Sequence, residues 1–111
     1  MTSIRRGEVW WVDFNSSIAG EIQKTRPVVV ISNNYSNELL NRVQIVPLTS
    51  KAEKCYPCEA FVTVNNQKSK AMADQIMTVS KQRLKSKITV ISDTDMRLIE
   101  QAVKIQLSLS F

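Results

Sequence analysis

Four consecutive β-branched residues, Val28 to Ile31, follow directly on Arg26-Pro27. Such a run has no polar side to give to water, so it specifies a central strand buried on both faces. A strand of that kind needs cover above and below, and 111 residues leave room for one core. We therefore expect one domain over residues 1–111. Two positions before the run stands a guanidinium, that of Arg26. A charge at the lip of a buried strand costs free energy unless it is partnered. Arg26 is then either half of a salt bridge, with Glu21 or Asp74 as the carboxylate, or a group kept for an incoming anion.

The other elements arrange themselves around that strand. Glu8–Phe14 alternates, with Trp10, Val12 and Phe14 on one face and Trp11 and Asp13 on the other. Residues 15–25 are polar and read as a long loop. Val43–Leu48, Glu59–Val64, Ala71–Val79 and Ile88–Ile91 read as strands, with a turn at Asn65-Asn66. Tyr35–Leu40 and Lys81–Leu84 read as short helical turns. Ser92, with Asp95 three residues on, resembles a capping box opening a C-terminal helix. Met96, Ile99, Val103 and Leu107, beside Leu98, Ala102 and Ile105, give that helix an apolar face wider than one sheet contact needs. The expected fold is mainly β (α+β), a small barrel-like sheet of five to seven strands with one C-terminal helix.

Charge and composition narrow the chemistry. The net charge is +5, and residues 51–87 alone carry that excess. A basic block on a small domain suits nucleic acid or an acidic protein segment; its ordinary counterpart is a solvated lysine-rich face. No apolar run approaches the ~20 residues of a membrane span, and a cytoplasmic protein is expected. The sequence contains no histidine, which removes the commonest general acid–base group and the commonest metal ligand. Cys55 and Cys58 lack the two further Cys or His ligands a zinc site needs, and Pro57 with its polar flanks reads as loop. We expect two reduced thiols and no cofactor.

Three places set polar residues against strands where core building does not call for them. They are Glu21 with Lys24-Thr25-Arg26, then Thr49-Ser50, then Asp74-Gln75. Antiparallel pairing of the strand after Arg26 with the strand before Thr49 would bring both to one sheet edge, a guanidinium beside a hydroxyl, suited to a phosphate. Each also has a plain structural reading. Arg26 can be ion-paired, Thr49-Ser50 can form a cap or turn, and Asp74-Gln75 can be an exposed pair on a half-buried strand.

The ordered set of motifs resembles a known family. Arg6-Gly7-Glu8-Val9-Trp10, Gly20-Glu21 with Lys24-Thr25-Arg26-Pro27, Pro47-Leu48-Thr49-Ser50 and Ala73-Asp74-Gln75-Ile76 follow the order and spacing of the MazF/PemK toxin endoribonucleases. The similarity spans about residues 5 to 110. It implies an SH3-like barrel, a homodimer, a cognate antitoxin, and metal-independent cleavage of single-stranded RNA. It also implies catalytic roles for Arg26, Thr49 and Glu21, and RNA-binding roles for Ser17, Gln23, Lys24, Thr25, Ser50, Asp74 and Gln75. The chain departs from the pattern at Ser16, where many members have proline, and at Met72 and Met77, where some have arginine. Tyr56 is a candidate stacking face for a base. Two other readings use the same scaffold: a gyrase poison of the CcdB kind acting through its C-terminal helix, and a basic RNA-binding module without chemistry.

Overall fold

The computed structural model describes residues 3–14 and 25–110. Its elements are β1 (Glu8–Asp13), β2 (Thr25–Val30), α1 (Asn34–Leu39), β3 (Arg42–Thr49), β4 (Glu59–Val64), β5 (Gln67–Met72), β6 (Met77–Ser80), β7 (Leu84–Val90) and α2 (Asp93–Leu107), with single 3-10 turns at Ala73–Gln75 and Lys81–Arg83. The seven strands form one curled sheet in the order β4-β5-β3-β2-β1-β7, and β6 joins the β5 edge of β3 further along.

Val28–Val30 lies at the centre, as its composition requires, whereas Ile31 follows the end of β2 and is only half-buried. Val28, Val29 and Val30 are completely buried, and they alternate between two clusters. Val29 packs with Val9, Val46, Leu48, Val62 and the buried face of α2, namely Met96, Ile99 and Ala102. Val28 and Val30 pack on the other side with Trp10, Val12, Val43, Ile45 and Val79. The second cluster is the one the alternation of β1 points to, and Phe14 packs against it. The apolar surplus of α2 stays in solvent: Leu98, Ile105 and Leu107 are each about half exposed.

The reading of Ala71–Val79 as one strand is corrected by the register. Leu48 pairs with Ala71 and Ile45 with Met77, so β3 moves three positions while the facing chain moves six. The surplus is taken up as the 3-10 turn Ala73–Gln75, which puts Asp74 and Gln75 on an exposed excursion between two strands. The strand that precedes it, β5, is a polar segment held by hairpin pairing with β4 from Val64↔Gln67 to Glu59↔Met72. Its turn residues Asn65 and Asn66 both take positive φ, 49° and 66°, a conformation asparagine tolerates and hairpins of this kind require. Strand β7 is also longer than the apolar stretch Ile88–Ile91 indicates. At the start of α2, Ser92 Oγ accepts from Asp95 N–H at 3.1 Å, but Asp95 Oδ2 accepts from Thr63 N–H at 2.8 Å. Half of the capping box is present, and its acidic half ties the helix to β4 instead.

Candidate functional site

The first motif, Arg6-Gly7-Glu8-Val9-Trp10, is a closed structural knot. Gly7 takes φ +90°, a conformation that disfavours any side chain. This turn lets Gly7 N–H donate to Val30 O at 2.8 Å while Gly7 O accepts from Ile91 N–H at 3.0 Å, joining β2 to the segment after β7. Arg6 donates through Nε to Ile31 O at 3.0 Å and pairs with Glu100 of α2 at 2.8 Å. The Glu8 carboxylate is buried. It accepts from Arg5 N–H at 2.9 Å and from Trp10 Nε1–H at 3.0 Å, and pairs with Lys87 at 3.0 Å. Burial alone would raise its pKa; the hydrogen bonds from Arg5, Lys87 and Trp10, with the Lys87 charge, outweigh that and hold it below the ordinary glutamate range.

The second and third motifs meet at the opposite end of the central strands. Strands β2 and β3 are antiparallel, with Val30↔Ile45, Val29↔Val46 and Val28↔Pro47. Two residues further on, the same register leads to Arg26 on one chain and Thr49 on the other. Both line an open cleft of about 660 Å³, together with Thr25, Pro27 and Ser50. Arg26 is exposed and has no side-chain hydrogen bond or ion pair among the described residues. Thr49 Oγ1 accepts from Lys51 N–H at 3.2 Å. That is the turn its composition suggests, yet a hydroxyl that accepts still has its own proton to donate. The turn fixes the oxygen and leaves the O–H available.

Arg26 is the one charged side chain among the lining residues. Three nearby cations are committed elsewhere. Lys70, opposite Thr49 in the β3–β5 pairing, binds Glu59 at 3.2 Å and donates to Lys54 O at 3.0 Å. Lys68 lies 3.9 Å over the Phe61 ring, and Arg83 donates to Asp13 O at 3.1 Å. Among the described lining residues Arg26 alone offers a guanidinium, and it has no partner among the described residues.

Of the other sequence candidates, Thr25 and Ser50 line this cleft, whereas Asp74 and Gln75 do not. Those two sit on the excursion past Ala71, where Ala73 N–H donates to Cys58 O at 3.0 Å and Gln75 Nε2 reaches Met72 Sδ at 3.5 Å. Ser17, Glu21, Gln23 and Lys24, with Ser16, lie outside the described residues. Tyr56 is exposed on the loop between β3 and β4, away from the cleft lining. Cys55 and Cys58 are free thiols on the same loop.

Sequence reasoning passed over the rest of the cleft wall. Trp11 is 41% exposed and lines it, as do Val64, Asn65, Gln67, Ser69 and Ile88. The phase of β1 was the available signal for Trp11, since it separates Trp11 from Trp10. No periodicity marks Gln67 and Ser69, which reach the site because the sheet curls until β4-β5 and β7, at opposite ends of its order, face each other.

Comparison with known proteins gives a consistent result. Residues 5–107 match the model of the PemK-like, MazF-like toxins of type II toxin–antitoxin systems. The chain is 31% identical to endoribonuclease MazF9 of Mycobacterium tuberculosis, covering 96% of this chain and 98% of that one. Its fold superimposes on a mycobacterial endoribonuclease solved in complex with its cognate antitoxin, with TM-score 0.82, 23% identity, and 97% and 98% of the two chains covered. It also superimposes on MazF of Deinococcus radiodurans, with TM-score 0.80, 19% identity, and 98% and 100% covered.

Proposed function

The chain belongs to the PemK-like, MazF-like toxin endoribonucleases of type II toxin–antitoxin systems, and on that premise we propose that it cuts single-stranded messenger RNA without a metal ion, using the RNA's own 2′-hydroxyl. The observation that carries this reading is the Arg26 guanidinium, without a partner among the described residues, beside the Thr49 hydroxyl in an open cleft.

The substrate brings its nucleophile with it. The ribose 2′-oxygen bonds to phosphorus as the bond to the 5′-oxygen of the next nucleotide breaks. The products are a 2′,3′-cyclic phosphate and a 5′-hydroxyl end. The protein has then to hold the phosphate in line, take up one proton and stabilise the growing negative charge. Arg26 binds the non-bridging oxygens, and its spread of N–H donors reaches the departing 5′-oxygen. Thr49 donates its O–H to the same phosphate. Glu21 takes the 2′-hydroxyl proton, and the departing 5′-oxygen takes a proton from solvent water to become the 5′-hydroxyl. Thr25 and Ser50 border the phosphate site, and Ser17, Gln23, Lys24, Asp74 and Gln75 contact the flanking nucleotides. A histidine-free sequence is compatible with this route because no step needs an imidazole.

The protein acts as a homodimer in the cytoplasm, and a cognate antitoxin with an acidic, disordered segment folds onto its basic surface. Antitoxin-bound relatives of the same fold support that partner.

The test is incubation of the purified protein with a mixed-sequence single-stranded RNA in excess EDTA. Cutting with cyclic-phosphate ends is expected. Loss of cutting on adding EDTA overturns the metal-free route. Binding without cutting favours the non-catalytic RNA module, and neither binding nor cutting favours a gyrase poison acting through the exposed apolar side of α2.

A further inference from the structure

We propose that the part of the cleft facing Arg26 and Thr49 is a nucleobase pocket, with Trp11 as its stacking surface and the amides of Asn65 and Gln67 as its reading groups. The inference rests on the endoribonuclease reading above and says which part of the protein selects one of the bases beside the cut.

The two sides of the cleft differ in kind. On one side are Arg26, Thr49 and Ser50, a cation and hydroxyls, suited to a phosphate. On the other are an indole, two carboxamides and apolar walls, with no charge. Alternation along the strands separates them further. Arg26 and Thr49 share the phase of Val28 and Ile45, whereas Trp11 shares that of Val9 and lies on the opposite face of the sheet. The cleft thus wraps around the end of the sheet. A nucleotide whose phosphate sits on one face has its base directed over that end towards Trp11.

Trp11 is suited to that position and has no structural duty that would otherwise explain it. Strand β1 puts Trp10 into the core at 6% exposed, with its indole N–H bound to Glu8, while Trp11 next to it stays 41% exposed. A large exposed aromatic in a cleft beside an arginine that pairs with no described residue is the arrangement that single-stranded RNA meets by stacking. The Trp11 indole N–H and both amides make no side-chain hydrogen bonds among the described residues. Asn65 and Gln67 each offer a carbonyl acceptor beside an N–H donor, the pairing that base edges complement. Asn65 is held by the positive-φ turn between β4 and β5, and Gln67 by its pairing with Val64, so both project from a hairpin of fixed shape.

The experiment uses the full chain and two probes: a randomised single-stranded RNA pool, read for rate and for the base composition around each cut, and the same pool made with 2′-O-methyl ribose, which binds but cannot react. Trp11→Ala should bind the methylated pool about tenfold to a hundredfold more weakly, raising KM on the natural pool while kcat is kept, and Trp11→Phe should restore most of the loss. Asn65→Ala and Gln67→Ala should broaden the base preference at one position next to the cut and leave the others unchanged. Wild-type affinity in folded Trp11→Ala, or an unchanged base profile in both amide variants, overturns the pocket while the endoribonuclease reading stands. Wild-type protein that binds neither pool overturns both.

Discussion

Two arginines of this chain stand at opposite ends of the central strands and teach opposite lessons. Arg6 is tied by its backbone, its Nε and its terminal nitrogen to Asn34, Ile31 and Glu100, beside a buried Glu8 that is itself bound three ways. Arg26, at the lip of the most buried strand, is tied to nothing among the described residues. Sequence alone allows either arginine to be structural or anion-directed. The difference lies in the neighbours. Around Arg6 the chain supplies carboxylates and carbonyls from α1, β1 and α2, whereas around Arg26 it supplies hydroxyls, amides and an indole. One corner consumes its charge in holding elements together; at the other, no described residue takes it up.

That contrast can be broken by substitution. The largest effect is expected at Arg26: Arg26→Ala should lower the cleavage rate by about 10²–10³-fold and leave the thermal midpoint close to wild type, because an unpartnered exposed group contributes little to folding. A fall in the midpoint to match the fall in rate would show that Arg26 is structural after all. At the other corner the order reverses. Glu8→Ala removes the carboxylate from Lys87, Trp10 and Arg5 and should destabilise the fold by about 2 kcal/mol, measurable in urea, with the rate per folded molecule preserved. The Glu8 carboxyl is held below its ordinary range in the folded protein. Its stabilising contribution is therefore complete above the unfolded glutamate pKa and lost as pH falls through the lower, folded value. Glu8→Gln should flatten the part of the acid arm of the urea midpoint that lies below the ordinary glutamate range, while an unchanged acid slope would assign it to other groups. The smallest effect belongs to Arg6→Ala. Its ion pair with Glu100 is more than a third exposed on the glutamate side, so about 1 kcal/mol is expected, with RNA affinity unaltered.

The residues that could be placed from sequence are those whose environment is set by local pattern. Val28–Val30 has no polar side and so lies at the centre, with Ile31 half-buried just past the strand. The alternation of β1 assigns Trp10 and Val12 to the core, and antiparallel pairing of β2 with β3 carries Arg26 to Thr49. What stayed hidden depends on register between distant segments. Ala71, Met72, Ala73 and Ile76 are apolar enough for an unbroken strand, and only the pairing of Leu48 with Ala71 and Ile45 with Met77 forces Asp74 and Gln75 out into a turn. Residues 67–70 of β5 carry no apolar signature because backbone pairing and polar contacts, Lys70 with Glu59 and Lys68 over Phe61, bind them to β4. Gln67 and Trp11 come together only through the curl of the whole sheet, which no local window contains.

The lid on the first core cluster comes from α2, which supplies Met96, Ile99 and Ala102 and ties down Arg6 through Glu100. On a ribosome, this means that the described cleft residues, from Trp11 to Ile88, are all synthesised before the helix that covers Val9, Val29 and Val46. A nascent chain halted after β7 holds the arginine, the hydroxyls and the indole on a sheet whose α2 side is still bare. Cooperative folding, which needs both clusters closed, therefore waits for the final helical turns to emerge. The timing of synthesis thus sets a delay between making the reactive groups and giving them a rigid frame.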